Sequence, residues 1–289
     1  MDPMHGFVED FAHLDARQFT VAVRKLADGL AYGIDRSPFV GSGVEYVQSR
    51  LYQEGDDVRA IDWRVTARTG KFHVKEYEAP KCLPSWLLID TSASMTISST
   101  QRSKYETALF VAGGLALACL DRVSPVGVVA VGERGLRIQP SLSRAKVMQW
   151  LLQLRSFRYD EGTRLGARVA ELAPSLQSRS LVIVLSDLHD EDALAALKRL
   201  AARHDVIALQ FVDPAESGLS GAGFFRAREA ESGREFVTRG KSQWSDPERA
   251  ARELPKAGID HLVIRTDRPY VHALRNLLRG RGFIGKGTR

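Results

Sequence analysis

Cysteine is nearly absent: two residues in 289, Cys82 and Cys119, neither in a Cys-x-x-Cys pair. That excludes a disulfide framework and a cysteine-rich zinc site, and leaves both thiols as buried free groups beside apolar runs. Long apolar runs are also missing. The longest, roughly Ala108 to Leu120, falls short of the ~20 residues that cross a bilayer. The start MDPMHGFVEDF lacks the basic-then-apolar pattern of a secretion signal, so a cytoplasmic location is the expectation. The seven histidines show no paired metal spacing. No internal repeat and no low-complexity tract is visible.

What remains is an ordinary globular composition, 44% hydrophobic and 26% charged, with a net charge of +6. The whole excess lies at the end. Arg268, Arg275, Arg279, Arg281, Lys286 and Arg289 stand there with no acidic residue among them, and the rest of the chain balances. A basic tail can contact nucleic acid or an acidic partner, or simply complement a helix C-terminus. Aromatic residues are not interleaved with it, so nucleic-acid binding is not expected. The run Gly280-Arg-Gly-Phe-Ile-Gly285-Lys286 imitates a phosphate loop, but Gly287 stands where Ser or Thr is needed.

The pattern divides near residue 83. Ahead of it, Phe19, Ala22, Val23, Leu26 and Leu30 recur at helical spacing and predict a helix over Asp15–Ala31. Strand-like pieces follow at Val44–Tyr52 and Phe72–Tyr77, with a short polar stretch around Asp62 and Trp63 between them. This makes 1–83 a small α+β attachment. From 84 to 289, short apolar runs alternate with helical stretches. The runs are WLLID, PVGVVAV, GLRIQP, LVIVLSD, VIALQFVD and HLVIRT. Ser103, Ser143, Asp190 and Asp267 open helices, Asp246-Pro247 opens another, and Ser232-Gly233 turns a hairpin. Such alternation predicts an α/β fold, a mostly parallel sheet flanked by helices.

In such sheets ligands bind at the carboxyl ends of strands. The first run ends in Asp90-Thr-Ser92-Ala-Ser94, the fourth in Ser186-Asp187, and a loop between carries Glu161-Gly162-Thr163. Two carboxylates and three hydroxyls are hard oxygen donors, suited to Mg²⁺, Mn²⁺ or Ca²⁺. They do not suit zinc, which prefers His and Cys. WLLID followed by a polar loop also resembles metal-dependent phosphohydrolases, but Ser92 stands where those enzymes carry their second, acid aspartate.

The pattern resembles the metal-ion-dependent adhesion site of von Willebrand factor A domains, over about 84–280. Residue by residue, the resemblance implies Asp90, Ser92, Ser94, Thr163 and Asp187 as ligands of one divalent ion. It implies the strand order 3-2-1-4-5-6, which sets the strands ending at Asp90 and Asp187 side by side. Glu161 stands where the family often has glycine, and Leu188 where it often has the glycine of Thr-Asp-Gly. A closer resemblance covers nearly the whole chain. Gly41-Ser-Gly-Val-Glu45, Arg50-x-Tyr52, Gly55-Asp-Asp-Val-Arg59-x-Ile-Asp62-Trp63, Ala67-Arg68 and Lys75-x-Tyr77 are similar to the bacterial domain-of-unknown-function fifty-eight family, in its short branch without transmembrane helices.

That resemblance implies a chaperone-like adaptor working with a MoxR-type AAA+ ATPase to assemble or activate a client complex, such as a metalloenzyme. An acidic side chain of the partner would complete the ion's coordination. The dense charges of the upstream motif, with Asp57, Arg59, Asp62, Trp63 and Arg68 at its centre, allow two readings. One is a buried ion-pair network fastening the attachment to the sheet domain. The other is a docking surface for a partner.

Overall fold

The computed structural model describes residues 5–7, 45–78, 83–217, 224–228, 235–239 and 247–280. It divides into two compact units, residues 35–82 and residues 1–34 with 83–289. The sequence groups 1–83 together. In the structure the first residues go with the sheet unit instead, because β1 (His5–Phe7) pairs antiparallel with Ser156–Arg158. The helix expected over 15–31, Cys82 and the tail from 281 lie outside the described residues.

In the smaller unit, β2 (Glu45–Leu51) and β3 (His73–Glu78) pair antiparallel around α1 (Trp63–Thr69). Seven residues give too few turns for a periodic signal, so α1 reads in the sequence as a polar stretch. Its ends define it. Asp62 Oδ1 accepts from the amides of Arg64 and Val65, at 3.1 and 3.2 Å. Gly70, at φ 71°, closes it in the left-handed conformation that glycine adopts without strain.

The larger unit continues with β4 (Ser85–Ile89), α2 (Ala93–Thr96), α3 (Lys104–Asp121), β5 (Val126–Ala130) and β6 (Arg137–Ser141). Then come α4 (Arg144–Leu154), β7 (Ser156–Arg158), α5 (Leu165–Leu172), β8 (Leu181–Ser186), α6 (Ala193–Ala201) and β9 (Asp205–Val212). The hairpin β10 (Phe224–Arg228) and β11 (Glu235–Arg239), α7 (Pro247–Glu253), β12 (Asp260–Arg265) and α8 (Val271–Gly280) complete it. The six-stranded sheet runs β12-β9-β8-β4-β5-β6, parallel except at β5–β6. Counted along the chain from β4, this is 3-2-1-4-5-6, the order the von Willebrand A resemblance implies.

β4, β5 and β8 are buried at every position, which is why they read as unbroken apolar runs. Alternate side chains serve opposite faces. Leu87 and Ile89 join a core with α3 and α4, while Trp86 and Leu88 join one with α5, α6 and α7. In α3 every residue but Ala118 and Asp121 is buried. Cys119 lies there, and burial pushes its thiol up to about 12. In a Cys82→Ser background Cys119 should therefore resist thiol reagents near pH ~8, where an ordinary cysteine is partly thiolate. It should react once denaturant is added, and mass spectrometry of the labelled chain checks this.

Asp190 does not cap the helix expected to begin at it. Helix α6 starts at Ala193. Asp190 instead accepts from the amides of Asp192 (2.9 Å) and Gly166 (2.8 Å), tying this turn to the start of α5.

Candidate metal centre

The carboxyl ends of β4 and β8 meet because the two strands are neighbours in register, Ile89 opposite Leu185. The Asp90 amide then donates to the Leu185 carbonyl at 2.9 Å. This anchors a fully buried carboxylate at the strand tip. Its Oδ1 accepts from the Ser92 amide (3.0 Å) and its Oδ2 from the Ser186 hydroxyl (2.5 Å). Ser92 stands at the N-cap of α2 but does not cap it. Its hydroxyl faces that of Ser94 at 3.1 Å, and Ser94 helps to hold the Asp187 carboxyl down. Asp90 and Asp187 thus stand at the tips of neighbouring strands, with the Ser92 and Ser94 hydroxyls paired beside them.

Thr163 reaches the same edge through its backbone. It bridges Gly132, while the Arg164 amide donates to Val131 and the Glu161 carbonyl accepts from Ala93 at 2.7 Å. Glu161, which stands where the von Willebrand A resemblance would place glycine, pins this loop. Its buried carboxylate takes the Thr91 hydroxyl (2.5 Å), the Arg134 amide (3.2 Å) and the Arg134 Nε (2.7 Å). The other departure, Leu188, has φ 61°, the left-handed region in which glycine is at ease and leucine is not.

Lys104, His189 and Glu216 lie around Asp187. Lys104 Nζ lies 2.7 Å from Asp187 Oδ2 and also pairs with Glu216. His189 sets Nδ1 3.3 Å from Asp187 Oδ2 and Nε2 3.9 Å from Glu216. Lys104 reads in the sequence only as the start of α3. Nothing local marks its partners, since a cation in a helix's first turn opposes the macrodipole only weakly.

These neighbours separate the two aspartates. Burial, then the charge of Asp187, holds the Asp90 carboxyl up to about 6. Burial would raise Asp187 too, but the Lys104 ammonium and then His189 outweigh it and hold that carboxyl down at about 2. Burial disfavours the Lys104 ammonium, and its two carboxylates more than restore it. The donor set fits a hard divalent cation: carboxylates and hydroxyls, with no thiol among them.

In the smaller unit the acidic side chains are spent locally. Asp56 is paired with Arg50 through two 2.7 Å bonds, which hold its carboxyl down at about 2. Asp57 caps a short turn through the Arg59 amide, and buried Asp62 accepts from Ser49 at 2.6 Å while capping α1. Among the described residues of this unit these acidic groups serve as caps and in the half-buried Arg50–Asp56 pair. Arg59, Arg64 and Arg68 are exposed, and Trp63, 66% exposed, meets Phe72 edge-to-face at 6.5 Å.

A family model described as "Protein of unknown function DUF58" matches residues 48–253. The chain belongs to this family. The DUF58 match takes in the exposed Trp63 segment and all five oxygen-donor positions. Uncharacterized proteins of Mycobacterium tuberculosis and Mycobacterium bovis are 30% identical over 270 residues, covering 88% of this chain and 85% of theirs. The crystal structure of an uncharacterized membrane-spanning protein from Vibrio fischeri is 16% identical. It covers 65% of this chain and 93% of that one, with a TM-score of 0.21. Among the described residues of this DUF58 chain, no helix is long and apolar enough to cross a membrane.

Proposed function

We propose that this chain is a cytoplasmic, non-enzymatic adaptor that holds Mg²⁺ or a similar divalent cation at an adhesion-type site. In this reading it works with a MoxR-type AAA+ ATPase on a client complex. The reading is supported above all by the placement of Asp90 and Asp187 at the tips of adjacent parallel strands, with the Ser92 and Ser94 hydroxyls 3.1 Å apart on the loop after Asp90. Asp90 and Asp187 would balance the ion's charge, and Ser92, Ser94 and Thr163 would offer neutral oxygens. The ion would supply an electrophilic centre for a partner's carboxylate. Ser92, where a phosphohydrolase of the related pattern needs an acid, favours binding over hydrolysis.

The exposed Trp63–Phe72 pair, flanked by Arg59, Arg64 and Arg68, is the second contact surface in this reading. Its apolar core and basic edge suit an acidic segment of the partner. The test is capture of a purified MoxR-type AAA+ ATPase from the same organism by the immobilised full chain. Capture should require Mg²⁺ and be lost on chelation, and capture indifferent to chelator would overturn the reading. Trp63→Ala should weaken capture at least severalfold without changing metal affinity. It should move stability by no more than about 0.5 kcal/mol, as exposed substitutions do. Parallel calorimetry and urea denaturation check both halves.

A further inference from the structure

The donor set contains a cation of its own. Lys104 opens α3, where the helix dipole opposes a positive charge. It is only 1% exposed, and a buried ammonium is tolerated only when carboxylates hold it. Asp187 and Glu216 do so, and Glu216 is the more open of the two, at 14% exposed. Asp187, His189 and Glu216 could be read as a metal triad, their ligand atoms lying within 4.8 Å of one another. The lysine already sits on two of the three, so this cluster is the lysine's seat. The oxygen of Asp187 that serves Lys104 also has His189 at 3.3 Å. A divalent ion at Asp187 would therefore bring further positive charge to a carboxylate already engaged by the ammonium.

We propose that Lys104 is the resident counter-ion of this site, and that a divalent cation enters by displacing it. On entry the ammonium leaves Asp187 and stays with Glu216, nearer the surface. This rests on the metal-site reading above and adds its regulation. The metal-free chain keeps a compensated, folded site, and metal affinity is set by exchange against a tethered lysine. Anything that draws Lys104 outward, such as a partner's carboxylate approaching Glu216, would then strengthen metal binding.

Two measurements on the full chain test this. The first is calorimetric titration with Mn²⁺ and with Mg²⁺ of the wild type, Lys104→Gln and Lys104→Arg. Lys104→Gln is expected to bind about tenfold more tightly, because a competing like charge is gone, and Lys104→Arg to bind like the wild type. The second needs no variant: acetic anhydride labelling of the wild type, read by mass spectrometry. Lys104 should be protected without metal and become labelled several times faster with saturating Mn²⁺. If the wild type binds Mn²⁺ while Lys104 stays protected and Lys104→Gln binds no tighter, the exchange is wrong and the metal site stands. If none of the proteins binds either ion, the metal-site reading fails and the exchange with it. If Lys104→Gln does not fold, the labelling result alone decides.

Discussion

Asp90→Asn is expected to abolish saturable Mg²⁺ and Mn²⁺ binding while leaving the chain folded. Asparagine keeps the shape. Its amide oxygen still accepts from the Ser92 amide, and its NH₂ group can donate to the Ser186 hydroxyl, which accepts as readily as it donates. Only the charge is lost. Outer-shell partners of a metal are worth about 10–100-fold in affinity, so a ligand carboxylate should cost roughly 100-fold or more. Alanine would be a poorer probe, since it leaves both buried donors without their acceptor.

The same substitution should have the opposite effect on the metal-free protein. Asp90's folded-state pKa of about 6 lies above its ordinary 3.8. The stability conferred by the extra proton is complete below the ordinary value and gone above about 6. Near neutral pH the ionised carboxylate is then a cost, one that asparagine does not carry. In chelator, Asp90→Asn should melt at or above the wild-type temperature. In Mg²⁺ the wild type should rise past it. Metal binding by the wild type should strengthen as pH rises through about 6, because the ion competes with that proton, and should flatten above it. Thermal denaturation with and without Mg²⁺, and calorimetry across this range, check these outcomes.

The largest loss of stability is expected from Glu161→Ala. The substitution strips the acceptor from the Thr91 hydroxyl, leaves the Arg134 Nε without its carboxylate, and frees the loop carrying Thr163. Breaking a buried pair from one side typically costs about 3–5 kcal/mol. Gly132 supplies the control. A Cβ there would collide with the Glu161 carboxylate and the Thr91 hydroxyl. Gly132→Ala should therefore be damaging in the wild type and less so once Glu161 is alanine, where only the Thr91 hydroxyl still stands in the way. Urea denaturation of the two single variants and the double variant measures that coupling. If the losses simply add, Glu161 is not what crowds Gly132. Weaker Mn²⁺ binding in Glu161→Ala would tie the strut to the position of Thr163.

Much of the sheet was legible because its strands are buried on both faces and read as plain apolar runs. Asp90 and Asp187 stood out because each follows such a run. Lys104 did not, since its partners Asp187 and Glu216 lie 83 and 112 residues away, and no local pattern reports that distance. The short elements α1 and β7 were missed for a different reason: they are held by Asp62 and Gly70, or by pairing with β1, rather than by periodicity. Glu161 was visible only as a break in a familiar motif. What it does emerged from the three groups converging on its carboxylate.

The strand order also governs when the site can exist. Asp90 sits on the first strand of the sheet, but the hydroxyl that bonds it belongs to Ser186, 96 residues later, and Asp187 follows that. Contacts this distant must close a long loop before they return any stabilisation, and they form late. On the ribosome, β4 and β5 can pair long before β8 has emerged. The paired aspartates are therefore absent from every nascent form that lacks β8, and a partner that reads them would recognise only chains whose central sheet has closed.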